Sequence, residues 1–217
     1  MIQIANDPEE LKKLAVYSEN LTQALDKRIS ELLKTEKALN FWNLDILFKE
    51  KTQSSLNGYT MFKQEKVYQM ILFFAEALQP WKTKLNKLLF YADFLNFKKY
   101  GYSISGLKYA PIDYGPVPDE YELLFTFGRK NEIFKKVYQE INDDASGEKI
   151  LPMKQATFNN KLFEDNELET LNTILEKFRI VTSSKIVKMS HEEKAWSENH
   201  KKHPYIDYNY SFDLIHI

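Results

Sequence analysis

Leu11, Leu14, Leu21, Leu25, Ile29 and Leu32 recur at helical spacing, so the N-terminal part of the chain predicts one long amphipathic helix. Asn6-Asp7-Pro8-Glu9-Glu10 supplies its start: Asp7 can cap, Pro8 suits the first turn, and the glutamates complement the positive helix end. Ser18 and Arg28 interrupt a strict heptad, which argues against a long coiled coil. A second short helix over residues 38–50 carries Phe41, Trp42, Leu44, Ile46, Leu47 and Phe48. Thr52-Gln53-Ser54-Ser55-Leu56-Asn57-Gly58 is the strongest linker signal and divides the chain into an N-terminal helical segment, 1–55, and a larger domain, 56–217.

Residues 62–78 form an apolar helical run that must stop before Pro80. The next helix is capped by Thr83, buries Leu85, Leu88, Leu89, Ala92 and Leu95, and ends at Gly101, with its lysines mostly on the other faces. Residues 104–118 change character, because Gly106, Pro111, Gly115, Pro116 and Pro118 permit only short extended pieces. Pro118-Asp119-Glu120 then opens a helix closing near Gly128. Residues 133–141 and 149–156 flank a turn cluster and predict a hairpin. A helix starts at Asp165 or Asn166 and runs through Phe178, and Thr182-Ser183-Ser184 caps another that carries Ile186, Val187, Met189 and Trp196. The tail from Tyr205 alternates loosely, as an edge strand would. The fold class is therefore α+β, predominantly helical, with a small β-hairpin or sheet.

Composition narrows the chemistry. Hydrophobic residues make up 43% of the 217-residue chain and charged residues 28%, which suits a packed core. No apolar run is long enough to span a bilayer, and no secretory leader pattern opens the chain, so a cytoplasmic protein without membrane insertion is expected. Zero cysteines exclude disulfides, thiolate metal sites and cysteine nucleophiles. Six glycines form no phosphate-cradling fingerprint. The four histidines have neither the spacing nor the local charge of a metal site, so no metal or cofactor is expected. Thirteen tyrosines exceed what a core needs and suit a recognition surface.

Three features carry candidate chemistry. Six lysines from Lys82 to Lys108, interleaved with Tyr91, Tyr100, Tyr102 and Tyr109, could track a phosphate backbone. The run lacks arginine and the chain's net charge is −1, so a solvated lysine face or an acidic protein partner explains it better than nucleic acid does. Asp93 lies on an apolar helix and must be hydrogen-bonded, paired with a lysine or titrated upward. An acid–base pair of Asp93 with His191 requires the fold to bring them within hydrogen-bond reach. The segment Tyr109-Ala-Pro-Ile-Asp-Tyr-Gly-Pro-Val-Pro118 is rigid: it is either a well-built turn or a pre-shaped aromatic surface.

Lys84-Leu-Asn-Lys-Leu-Leu-Phe-Tyr-Ala-Asp-Phe-Leu-Asn-Phe-Lys-Lys-Tyr-Gly101, Ser103-Ile-Ser-Gly-Leu-Lys-Tyr-Ala110, Tyr114-Gly-Pro-Val-Pro118 and Met189-Ser-His-Glu-Glu-Lys-Ala-Trp196 together resemble the Panacea, or SocA-like, antitoxin domain. The resemblance implies a non-enzymatic antitoxin of a bacterial or phage toxin–antitoxin pair, which neutralises a cognate toxin by protein contact. One relative delivers its toxin to a protease, so a protease is a second partner to consider. Relatives with an N-terminal zinc ribbon and helix-turn-helix differ from this chain, which has no cysteine and no such pattern in residues 1–61. The expected toxin-binding elements are the helix end Lys98, Lys99, Tyr100 and Tyr102, with Tyr109, Tyr114, Gly115, Pro116, Val117 and Pro118. Lys87, Tyr91, Asp93, Gly106, His191 and Trp196 are the expected scaffold.

Overall fold

A computed structural model describes residues 48, 52–142 and 145–217, and within these the side chains outside 140–146. The two predicted N-terminal helices lie outside the described residues, apart from Phe48. Helix α1 (Gln64–Leu78) ends on Gln79 in the left-handed conformation, one residue before Pro80. Helix α2 (Lys82–Tyr100) follows an extended Trp81 and closes on Gly101, whose φ of 79° places it in the left-handed region. Its N-terminus has no side-chain cap, so Thr83 does not serve as one.

Helix α2 is the axis of the domain, and every residue from Lys84 to Phe97 is buried. This corrects the expected solvated lysine face. A helix surrounded on all sides must satisfy each polar group internally. Lys84 donates to Val181 O at 2.6 Å, and Lys87 to Pro116 O at 2.8 Å. Asn96 donates to Tyr102 O and accepts from Thr170 Oγ1. Around the helix, Phe90, Phe94, Phe97, Tyr109 and Tyr208 form a continuous aromatic cluster, and Tyr91 stacks on Phe178.

Strands β1 (Tyr109–Ile112) and β2 (Gly115–Pro118) form a tight antiparallel hairpin on α2. Pro118 belongs to that hairpin, and helix α3 (Tyr121–Lys130) begins only after Glu120 at φ 52°. Gly128 lies within α3 rather than at its end, and a Cβ there would meet the Phe134 ring at 2.4 Å, so the glycine admits close packing instead of ending the helix. Strands β3 (Phe134–Asn142) and β4 (Ala145–Pro152) form the second, longer hairpin, and β4 docks on α2's start through Ile150 N to Pro80 O. Helix α4 (Asp165–Phe178) opens with a capping box between Glu164 and Glu167, and Glu167 also receives the Lys66 ammonium.

Helix α5 (Ser183–Glu192) is capped by Thr182, whose hydroxyl accepts from Lys185 N. Glu193 is extended and splits the expected single helix, so Trp196 stands on the short α6 (Lys194–Ser197). The tail forms a 3₁₀ turn (Tyr208–Asp213) rather than an edge strand, capped by the Asp207 carboxylate, which accepts from Asn209 N. Contacts gather Phe48–Ile217 into one compact unit. The stretch at 52–58 is packed within that unit: Asn57 is fully buried, Ser55 O accepts from Tyr208 N, and Gly58 O accepts from Ser103 N. Among the described residues no helix is long and apolar enough to cross a membrane.

Candidate protein-interaction surface

The β1–β2 hairpin pairs Ile112 with Gly115 and leaves Asp113 and Tyr114 as its two-residue tip. Gly115 has φ +91°, a conformation that an L side chain resists, and its Cα faces Ser190 and Lys87. A Cβ there would come within 2.5 Å of Ser190 Oγ and 2.7 Å of Lys87 Cε. The close approach lets β2 lie directly on α2. Gly106, at φ +75°, packs in the same way against the Met61 backbone.

The hairpin base is tied down by buried polar bonds. Asp93 is fully buried, and its Oδ1 accepts from the backbone N–H groups of Ile104 and Ser105, both at 2.9 Å. Its Oδ2 accepts from the hydroxyls of Ser105 and Tyr109. Burial raises the carboxyl to about 6 against these bonds, which act to lower it. Of the three options open for Asp93, the structure combines hydrogen bonding with upward titration. Tyr208 donates to Leu107 O beside it, and Ile206 N donates to Tyr109 O. Burial likewise lowers the Lys87 ammonium to about 7.

The tip is held from its other side by α5, α6 and the following turn. Trp196 Nε1 donates to Ile112 O at 2.8 Å, and His200 Nε2 bonds Asp113 Oδ1 at 2.7 Å. The rings of His191, Trp196 and His200 stack nearly parallel, with centroid separations of 3.9 and 4.4 Å. Burial, with the Lys87 and His200 charges adding to it, lowers the His191 pKa and favours its neutral ring. The break at Glu193 builds this stack: its buried carboxylate accepts from Ile215 N and Tyr91 OH while the chain turns Trp196 back over His191. Against this scaffold Tyr114 stands 71% exposed.

The expected site residues divide between these environments. Tyr114 is the exposed tip. Tyr109, Gly115, Pro116, Val117 and Pro118 are buried, contrary to their expected place on a surface, because β2 lies on α2 and the Pro116 carbonyl serves Lys87. Lys98 binds the tail through Leu214 O and Ile217 O, Lys99 pairs with Glu169, and Tyr102 accepts from Asn166. Tyr100 is partly exposed near Glu169. Lys98 lies eleven residues beyond Lys87 on α2, about 16 Å along the axis, so the helix end and the hairpin register at Pro116 occupy different levels. Lys87, Tyr91 and Asp93 are core residues. Asp93 has no bond to His191, so no acid–base pair joins them. Residue-by-residue reading missed Asp113, Glu193 and His200; the four-residue step from Trp196 to His200 was the available signal.

The lysine run is occupied within the fold. Lys82 bridges Glu122 and Glu148, Lys84 and Lys87 are buried on carbonyls, Lys98 and Lys99 are bound as above, and Lys108 lies over the Tyr205 ring.

A helical domain built around one buried helix, with a hairpin gripped by a His–Trp–His stack, carries the four sequence stretches on its core and hairpin. The family model for the antitoxin SocA-like, Panacea domain matches residues 85–197, just over half of the chain, and the chain belongs to this family. The match spans α2 from Leu85 onward, both hairpins, and His191 and Trp196 of the stack, with His200 just beyond it. Membership suggests an antitoxin role in a toxin–antitoxin pair. Comparison with curated proteins and with solved structures yields no match.

Proposed function

We propose that this chain is the antitoxin of a bacterial or phage toxin–antitoxin pair and neutralises its cognate toxin by binding it directly, without catalysis of its own. The contact we propose centres on Tyr114, with Asp113, the rim of the His191–Trp196–His200 stack and Tyr100 as further candidates. Lys98, Lys99 and Tyr102 would support the helix end, and Tyr109 with residues 115–118 would act as the buried base of the hairpin rather than as contacts. The observation that carries this reading is a large aromatic side chain held in the open at 71% exposure on a hairpin whose base is buried and bonded throughout. An anchor that is already ordered loses little conformational freedom on binding, and tyrosine at such a position is a frequent hot spot. We further propose a cytoplasmic location and a division into a leading segment, 1–55, and the Panacea domain, 56–217.

Co-expression tests the proposal. The adjacent gene alone should arrest growth, the pair should grow, and Tyr114→Ala should weaken the rescue while remaining soluble. Failure of the wild-type chain to rescue, with both proteins soluble, rejects it.

A further inference from the structure

Among the described residues the outer edge of β3 is unpaired, and its sequence complements itself. Ile150 turns its N–H away from β3 to Pro80 O, so its partner in the ladder, Lys136, sits at a position whose own N–H and C=O face the opposite, outer edge. By the two-residue period of a strand, Tyr138 faces its backbone groups the same way. Among the described residues no backbone group bonds this outer edge of β3. Tyr138 is 58% exposed at the middle of the strand, and the stretch contains neither glycine nor proline until the irregularity between Glu140 and Asn142.

We propose that a second copy of this chain pairs with this edge, β3 against β3 about a two-fold axis at Tyr138, giving a four-stranded antiparallel sheet. The register is set by which residues face outward: Tyr138 opposes Tyr138 of the second copy, and Lys136 opposes Glu140, twice over. Cross-strand lysine–glutamate pairs and an aromatic pair are favourable, and a two-fold contact must be self-complementary in this way. Lys136 already contacts Glu148, which Lys82 also holds, so facing a further carboxylate leaves no group uncompensated. Strand pairing at an open edge supplies the remaining backbone bonds. The inference is independent of the toxin-binding reading.

The absence of native cysteine makes the register directly measurable. In the full-length chain, Tyr138→Cys places two thiols across a pair about 5.5 Å apart at Cα, within disulfide range. Lys135→Cys places them six residues apart along the strands, about 20 Å. Under copper-phenanthroline oxidation Tyr138→Cys should give at least about tenfold more covalent dimer than Lys135→Cys. Tyr138→Pro, which removes an outward N–H, should convert the dimer to a monomer in sedimentation without changing circular dichroism. A wild-type chain that stays monomeric at high micromolar concentration, or equal cross-linking at both positions, overturns the proposal.

Discussion

Replacing Asp93 probes the polar hub that joins α2 to the hairpin. Its carboxylate satisfies four buried donors: two backbone N–H groups and the hydroxyls of Ser105 and Tyr109. Asp93→Ala orphans all four, and each unsatisfied buried donor costs about 1–3 kcal/mol, though not additively. A loss of roughly 4 kcal/mol or more is expected. Asp93→Asn keeps Oδ1 for the two N–H groups and should be far milder. Its diagnostic is pH. Burial holds the folded carboxyl at about 6, above its ordinary 3.8. Folding therefore favours the protonated acid: that contribution is complete below about pH 3.8 and is lost as pH rises through about 6. A shift of this size amounts to about 3 kcal/mol, of which roughly 2–3 falls between pH 4 and pH 8. Asparagine cannot ionise, so the Asn variant should gain roughly that much relative to wild type as pH rises. Urea unfolding followed by circular dichroism across this range measures both. Parallel wild-type and Asn stability profiles, or an Ala variant within about 1 kcal/mol of wild type, would refute the assigned burial and bonding.

Two further substitutions test the hairpin's seat. Gly115→Ala combines a positive φ with a Cβ driven into Ser190 and Lys87, so it should cost about 3 kcal/mol or more, whereas Gly101→Ala, at similar φ in open space, should cost only about 1–2; equal losses in thermal unfolding would contradict the packing. Lys87→Met removes an amine that burial lowers from 10.5 to about 7. A lowered base stabilises the fold above about pH 10.5, and that contribution is lost as pH falls toward 7. The Met variant should therefore gain about 2 kcal/mol relative to wild type between pH 9 and pH 7, and an unchanged difference in urea unfolding would count against it.

Signals local to the chain were readable where local physics decides the outcome. Gly101 ends α2 as its φ requires, Thr182 caps α5, and the expected hairpin forms, although β4 begins at Ala145, inside the predicted turn cluster, and ends at Pro152. What periodicity could not show is which helix lies at the centre. Lys84, Lys87 and Asn96 look like an exposed polar face, yet α2 buries them because carbonyls of β2 and of the 179–181 turn, and a threonine of α4, come to meet them. The same tertiary effect turned Tyr109 and residues 115–118 from a presumed surface into the hairpin's buried base. The family motifs marked Trp196 and His191, but the Glu193 kink that stacks them depends on Ile215 and Tyr91, far away in sequence.

The claim that a pre-ordered hairpin tip covers a toxin is tested most directly by affinity. Titration calorimetry of the purified chain with the adjacent gene's product should give a tight complex, weakened at least about tenfold by Tyr114→Ala at unchanged thermal stability; each tenfold is about 1.4 kcal/mol. Undiminished affinity in that variant would contradict it.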